Sequence, residues 1–350
     1  MKKTITTSIF VAVLGFTALA ANAKSWRINN DATKKADFAD LNAAMSSTDV
    51  EAGDTLYLDP GCSISGDQTV TKRVTIVGSG YFRTDTPHRF SYINGKLYLK
   101  AQYIKVEGVL MTSNLRLNAD YITVERCKIP RIEIVGMWNE ANARYATIRQ
   151  CYLQGIEGQG GDNSSYKNKS SFATIENCII INDGYMVQNL YNPTITNCYI
   201  CHTGTDNNNL YAPLYNIGEG AISNNILMNN ANNTIVLNSV TNSVFTNNVM
   251  SCAEDTYPEY TTNNRFLNSN DESLVFKLEG TNDQKYQLKD DSPAKGYATD
   301  GGDCGHTGGT YPYVLNGLPA GYPYYTKANI ATRAKDGKIN VSLNIKMQNE

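Results

Sequence analysis

The chain has 350 residues, with 31 Lys and Arg against 33 Asp and Glu and a formal net charge of −2. A near-neutral chain without basic runs is a poor partner for nucleic acid, where affinity comes mainly from neutralising phosphates. Its polar residues are Asn, Thr, Ser and Gly, with 23 Tyr, a mixture that favours strands and turns over long helices.

The N-terminus reads as an export leader. Lys2 and Lys3 precede a mostly apolar run from Ile9 to Ala21, and Ala21-Asn22-Ala23 fits a small-x-small cleavage site. Residues 1–23 are therefore expected to direct export to the periplasm, the cell surface or the medium. The run is too short for a membrane anchor. No cysteine follows the cut, which argues against a lipoprotein, and no other segment is apolar enough to span a bilayer. Without Lys2 and Lys3 the 29 remaining basic residues face 33 acidic ones, a net charge of about −4.

Phe38, Leu41 and Met45 then stand at helical spacing. A helix here would cover the open apolar end of the first coil of a solenoid.

The middle of the chain is a repeat. Val106-Glu-Gly-Val-Leu-Met returns as phrases beginning at Val124, Ile148, Ile175, Ile195, Ile222 and Phe245, at intervals of 18, 24, 27, 20, 27 and 23 residues. Periods of this size mark a solenoid or an array. Each copy alternates apolar and polar residues over a few positions, which is strand patterning. No helical segment separates the copies, and four-stranded propeller blades need a longer period. One coil of a parallel β-helix fits. About nine coils, stacked over roughly 45 Å, are expected.

The columns of this alignment predict geometry. The first position is always Val, Ile or Phe and should point inward. Gly108, Arg126, Gln150, Asn177, Asn197, Asn224 and Asn247 share the third position, where Gly and Asn suit a left-handed bend. Val109, Cys127, Cys151, Cys178, Cys198, Asn225 and Asn248 share the fourth. These should stack inside the solenoid, the cysteines as packing residues rather than as bridges or metal ligands, the asparagines as an amide ladder. Cys62 and Cys304 should lie far apart. Cys201 and Cys252 are left unassigned.

A second strand lies between phrases. Leu97-Tyr-Leu99, Leu115-Arg-Leu117, Ile132-Glu-Ile134, Ile156-Glu157, Tyr185–Gln188, Leu214–Ile217 and Ile235–Leu237 are its expected copies. Alternation turns their middle residues outward. The outward column reads Tyr98, Arg116, Glu133, Glu157, an unresolved coil, Tyr215 and Val236. Insertions at 137–143, 158–169 and 203–211 sit beside it, and loops on a rigid scaffold tend to carry function. Tyr98, Arg116, Glu133, Glu157 and Tyr215 are thus the candidate glycan-binding residues. Glu133 and Glu157 are the candidate ligands of a Ca²⁺ ion, through hard oxygen donors. The competing reading is that stacked Arg and Glu residues decorate a solvated sheet.

His306 lies in Gly305-His-Thr-Gly-Gly309, read as a glycine-rich turn in the closing segment. The paired aspartates of polygalacturonase-type hydrolases are missing around it. Residues 326–348, around Lys335-Asp-Gly-Lys338, read as a β-hairpin that covers the last coil or packs on its flank.

The phrase Ile222-Ser-Asn-Asn-Ile-Leu resembles the coil consensus of the secreted pectate-lyase-like, right-handed parallel β-helix proteins. Asp37 to Met45 followed by Gly53 to Gly61 is similar to that family's capping helix and first strand. Ser292-Pro-Ala-Lys-Gly296 with Asp303 to Gly309 is similar to its closing segment. The resemblance covers residues 26–310 and implies an all-β, right-handed parallel β-helix. The fold is shared by lyases, hydrolases, binding proteins and adhesins, so it leaves activity open. The expected organisation is a leader at 1–23, a β-helix domain at 24–310 and a C-terminal extension at 311–350. Three functions are weighed. The first is an exported, non-catalytic protein binding an extended polysaccharide. The second is a Ca²⁺-assisted uronate lyase with Arg116 or Lys100 near the substrate. The third is a structural surface protein.

Overall fold

A computed structural model describes residues 23–350 apart from 83–89, 136–141, 160–169, 205–210, 232–234, 261, 322, 332, 335 and 348–350, with the backbone alone described for Pro323–Ile330. The expected leader, except its last residue, lies outside the described residues.

Each repeated phrase forms one strand of a ten-stranded parallel sheet, here the first wall. The inward residues pair in register as Ile76, Val106, Val124, Ile148, Ile175, Ile195, Ile222 and Phe245. Two earlier coils extend the row through Trp26 and Leu56. Ten strands at about 4.8 Å give a wall roughly 43 Å long. The other large sheet has sixteen strands, all parallel. Its strands fall into two rows, joined where Lys128–Ile134 and Tyr152–Glu157 run continuously across a corner. These rows are the second and third walls of a three-walled parallel β-helix.

The bend between the first and second walls is the predicted one. Gly108, Arg126, Gln150, Asn177, Asn197, Asn224 and Asn247 all take φ between 50° and 66°. Immediately after it, Val109, the four cysteines, Asn225 and Asn248 point inward and are fully buried. Each cysteine Sγ lies 3.0–3.3 Å from the carbonyl two residues earlier, on Glu125, Arg149, Glu176 and Thr196. The thiols are spent locally, and all eight cysteines are free. At Asn225 the column becomes an amide ladder. Asn225 Nδ2 donates to Asn248 Oδ1 at 3.0 Å, and Asn248 Nδ2 donates to Asn264 Oδ1 at 3.0 Å. Amides replace sulfur where a buried chain of donors and acceptors can close on itself.

The N-terminal helix spans Leu41–Ser46 and buries Leu41 and Ala44, while Phe38 and Met45 pack partly against the same core. Asp40 caps it by accepting from Ala43 N at 2.8 Å.

The C-terminal end differs from expectation. A hairpin forms from Pro323–Ile330 and Val341–Met347, but every residue of its second strand is exposed, so it does not cover the last coil. Tyr257, Tyr260 and Phe266 pack there instead, with the Tyr260 ring 4.4 Å from Phe245. The chain from 272 onward then returns along the outside of the second wall. Val275, Phe276, Tyr286, Leu288, Ala294 and Cys304 form a second core with Ile179, Tyr199, Cys201, Ile226 and Val249. His306 is buried against Tyr313, Phe276 and Tyr199. Burial pushes its pKa down to about 3, so it is a neutral packing residue. Among the described residues no helix is long and apolar enough to cross a membrane.

Candidate functional site on the third wall

The third wall aligns the predicted column. Thr69, Tyr98, Arg116, Glu133, Glu157, Gln188, Tyr215 and Asn238 are successive register partners. Gln188 fills the coil that the sequence left unresolved. Val236 is not in the column: it is fully buried, the strand runs Leu237–Thr241, and Asn238 takes the outward slot. A slip of two residues preserved the alternation, so the pattern alone did not expose it.

The column has two chemically different halves. At the lower end Arg116 lies 5.9 Å from the Tyr98 ring centroid, and Lys100 Nζ lies 5.9 Å from it as well. Arg116 Nε donates to Glu133 Oε2 at 2.6 Å, while Asn114 Nδ2 donates to Glu133 Oε1 at 2.6 Å. Glu157 accepts from Arg131 Nη1 at 3.0 Å. Each carboxylate thus has its own guanidinium, and the four charges cancel. This arrangement bears on the Ca²⁺ reading of Glu133 and Glu157. Their oxygens serve arginines, and among the described residues no three His, Cys, Asp or Glu side chains gather as a metal site. Arg116 is likewise committed to Glu133 rather than held for a substrate carboxylate.

The upper half is aromatic. The Tyr215 ring lies 5.0 Å from Tyr185, tilted by 36°, and Tyr185 lies 5.0 Å from Tyr211. His202 stacks behind Tyr211 at 5.8 Å. Desolvation, helped by the neighbouring phenols, raises the Tyr185 pKa, so its hydroxyl stays protonated. Half-exposed rings and neutral hydroxyls beside a self-compensated charged patch can take ring faces and hydroxyl groups of a polymer running along the axis.

Sequence reasoning missed Arg131, Asn114 and Tyr185 as members of the site. Arg131 was hidden because Lys128–Ile134 is one strand crossing a corner, where simple alternation breaks. It also missed a charged cluster on the first wall. Lys105 Nζ reaches Glu107 at 3.0 Å and Glu125 at 2.7 Å, and Arg149 pairs with Glu125. The chain end shields part of that cluster. Leu318 O accepts from Arg126, Ala320 N donates to Glu107, and Tyr311 lies 4.3 Å from the Arg149 guanidinium.

Parts of the expected loops, at 136–141, 160–169 and 205–210, lie outside the described residues. No protein-family model matches the chain, and no curated protein sequence matches it.

Proposed function

We propose that this is an exported, non-catalytic protein whose third wall binds an extended polysaccharide. One observation carries the reading: Tyr98, Arg116, Glu133, Glu157, Tyr215 and Asn238 stand in register on one outward line, with the buried Gln188 filling the coil between Glu157 and Tyr215. A rigid row at strand spacing suits a ligand that itself repeats. Arg116 and Glu133 pair on the row, and Glu157 pairs with Arg131 beside it. These four charges cancel, so the row offers hydrogen-bonding groups and ring faces with little net charge of its own, which favours neutral or weakly charged sugars over polyuronates.

The test is a binding and turnover screen of the full chain against pectin, alginate, glycosaminoglycans and neutral plant glycans, with and without Ca²⁺. Retention of a neutral glycan without product is the expected result. New ultraviolet absorbance from an unsaturated uronate would replace binding with lyase chemistry. No retention of any polymer would overturn the reading.

A further inference from the structure

A row of aromatic rings stands on the corner between the third and first walls. Tyr103, Tyr121, Tyr145 and Phe172 each lie three residues before the inward residue of a first-wall strand, so they rise coil upon coil. Neighbouring ring centroids are 5.1, 4.9 and 5.1 Å apart, with planes 5°, 7° and 9° from parallel. The residues are 56%, 41%, 39% and 39% exposed. The three phenol hydroxyls have no protein partner among the described residues.

The turn does not require these residues. All four take left-handed backbone, φ 61°, 61°, 58° and 59°, which bulky side chains disfavour. In later coils the same slot holds Asn192, Glu219 and Asn242 at φ 52°, 54° and 50°. Asn tolerates this conformation, because its short amide can bond locally. Four consecutive coils therefore place an aromatic ring where the backbone is better served by Asn. Mutual stacking offsets part of that strain. It does not account for a hydrophobic row left open to solvent along one edge.

The stacking also selects the ligand. The ring faces cover one another, so a cation or a nucleic-acid base finds a free face only at the two ends. The row instead presents ring edges, the positive part of the aromatic quadrupole, and three hydroxyls at coil spacing. Both seek oxygen atoms. The charges beside the row are closed on themselves: Arg144 Nη2 pairs with Asp120 Oδ2 at 2.7 Å, and the Arg144 guanidinium lies 5.9 Å from the Tyr145 ring. An uncharged, oxygen-rich polymer with a short repeat fits this chemistry.

We propose that Tyr103, Tyr121, Tyr145 and Phe172 form a second binding rail for a neutral polysaccharide, parallel to the third-wall column. This rests on the glycan-binding reading above. Tyr98 and Arg116 each precede a rail residue, Tyr103 and Tyr121, by five positions around a single corner. At these two coils one chain lying along the axis can therefore meet both rows, whereas Glu133 and Tyr145, and Glu157 and Phe172, are separated by longer segments.

The experiment is affinity electrophoresis of the full protein in gels containing xylan, glucomannan or mixed-linkage β-glucan, with three variants. The Tyr121→Asn/Tyr145→Asn variant replaces two rings with the residue that the same turn carries at 192 and 242. The Tyr103→Phe/Tyr121→Phe/Tyr145→Phe variant keeps the stack and removes its hydroxyls. The Arg116→Ala/Tyr215→Ala variant disrupts the column. The proposal expects the Asn variant to unfold at the wild-type temperature within a few degrees and to bind roughly tenfold more weakly. The Phe variant should bind roughly threefold more weakly with its fold intact. If both rail variants bind like wild type while the column variant loses binding, the rail is overturned and the third-wall reading stands. If the rail variants lose binding and the column variant does not, the rail stands and the third-wall reading falls. If the wild type is retained by none of the polymers, both are overturned.

Discussion

Arg116 and Glu133 sit on adjacent coils of the third wall, joined Nε to Oε2 at 2.6 Å with both side chains largely shielded from solvent. The pair is half of a four-charge cluster that neutralises itself. Removing either partner leaves a partly shielded charge on the wall. Arg116→Ala and Glu133→Gln are each expected to destabilise the protein by about 1 kcal/mol, discounted for the remaining exposure. The double variant should lose clearly less than the sum. A double-mutant cycle in urea checks this, with a coupling of about 0.5–1 kcal/mol expected.

The interior column is not uniform in how it responds to truncation. Asn248→Ala removes an amide that donates to Asn264 Oδ1 and Ile222 O and accepts from Asn225 Nδ2. Buried partners are stranded, so a loss of about 2–4 kcal/mol is expected. Cys178→Ala in the same column removes one soft packing atom and should lose about 1 kcal/mol. Chemical denaturation of the two variants measures the difference.

The thiols give an independent check. Burial raises the pKa of Cys127, Cys151 and Cys178, and all eight cysteines are free and buried. Iodoacetamide should leave the native protein unmodified and alkylate all eight after denaturation without reductant. Peptides linked through Cys127, Cys151, Cys178 or Cys198 would show that the column is bridged.

His306 should produce an acid limb in stability. Its folded pKa, about 3, lies below the ordinary value, so the unfolded chain binds the extra proton first. Its contribution is complete above the unfolded pKa and is lost as pH falls toward the folded one. Between about pH 6.5 and 5 the loss should reach about 2 kcal/mol. Thermal unfolding across this range should show the slope in the wild type and a flatter profile in His306→Gln.

Much of this architecture was legible in the sequence, because a solenoid repeats its local rules. The inward aliphatics, the left-handed column from Gly108 to Asn247 and the cysteine column all recur at one place in the phrase, and each recurs in the structure. The earliest coils, centred on Trp26, Leu56 and Ile76, were invisible to the phrase because they lack its Asn and Cys signature. The outward column is legible at Tyr98, Arg116 and Glu133, where two aliphatics flank it, and at Glu157 and Tyr215, where one does; it is not legible at Gln188 and Asn238, where loops shift the frame. The exposed hairpin and the return of residues 272–320 along the second wall depend on long-range packing that no local pattern encodes. The aromatic rail lies three residues ahead of the first four phrases, outside the six residues that repeat.

The central claim is that the third wall contacts the glycan. Hydroxyl-radical footprinting, read by mass spectrometry with and without a saturating retained polysaccharide, tests it most directly. Protection is expected at Tyr98, Tyr185 and Tyr215, while Tyr57, exposed on the first wall rather than the third, keeps its reactivity. Unchanged oxidation of those three tyrosines in the bound state would contradict the account.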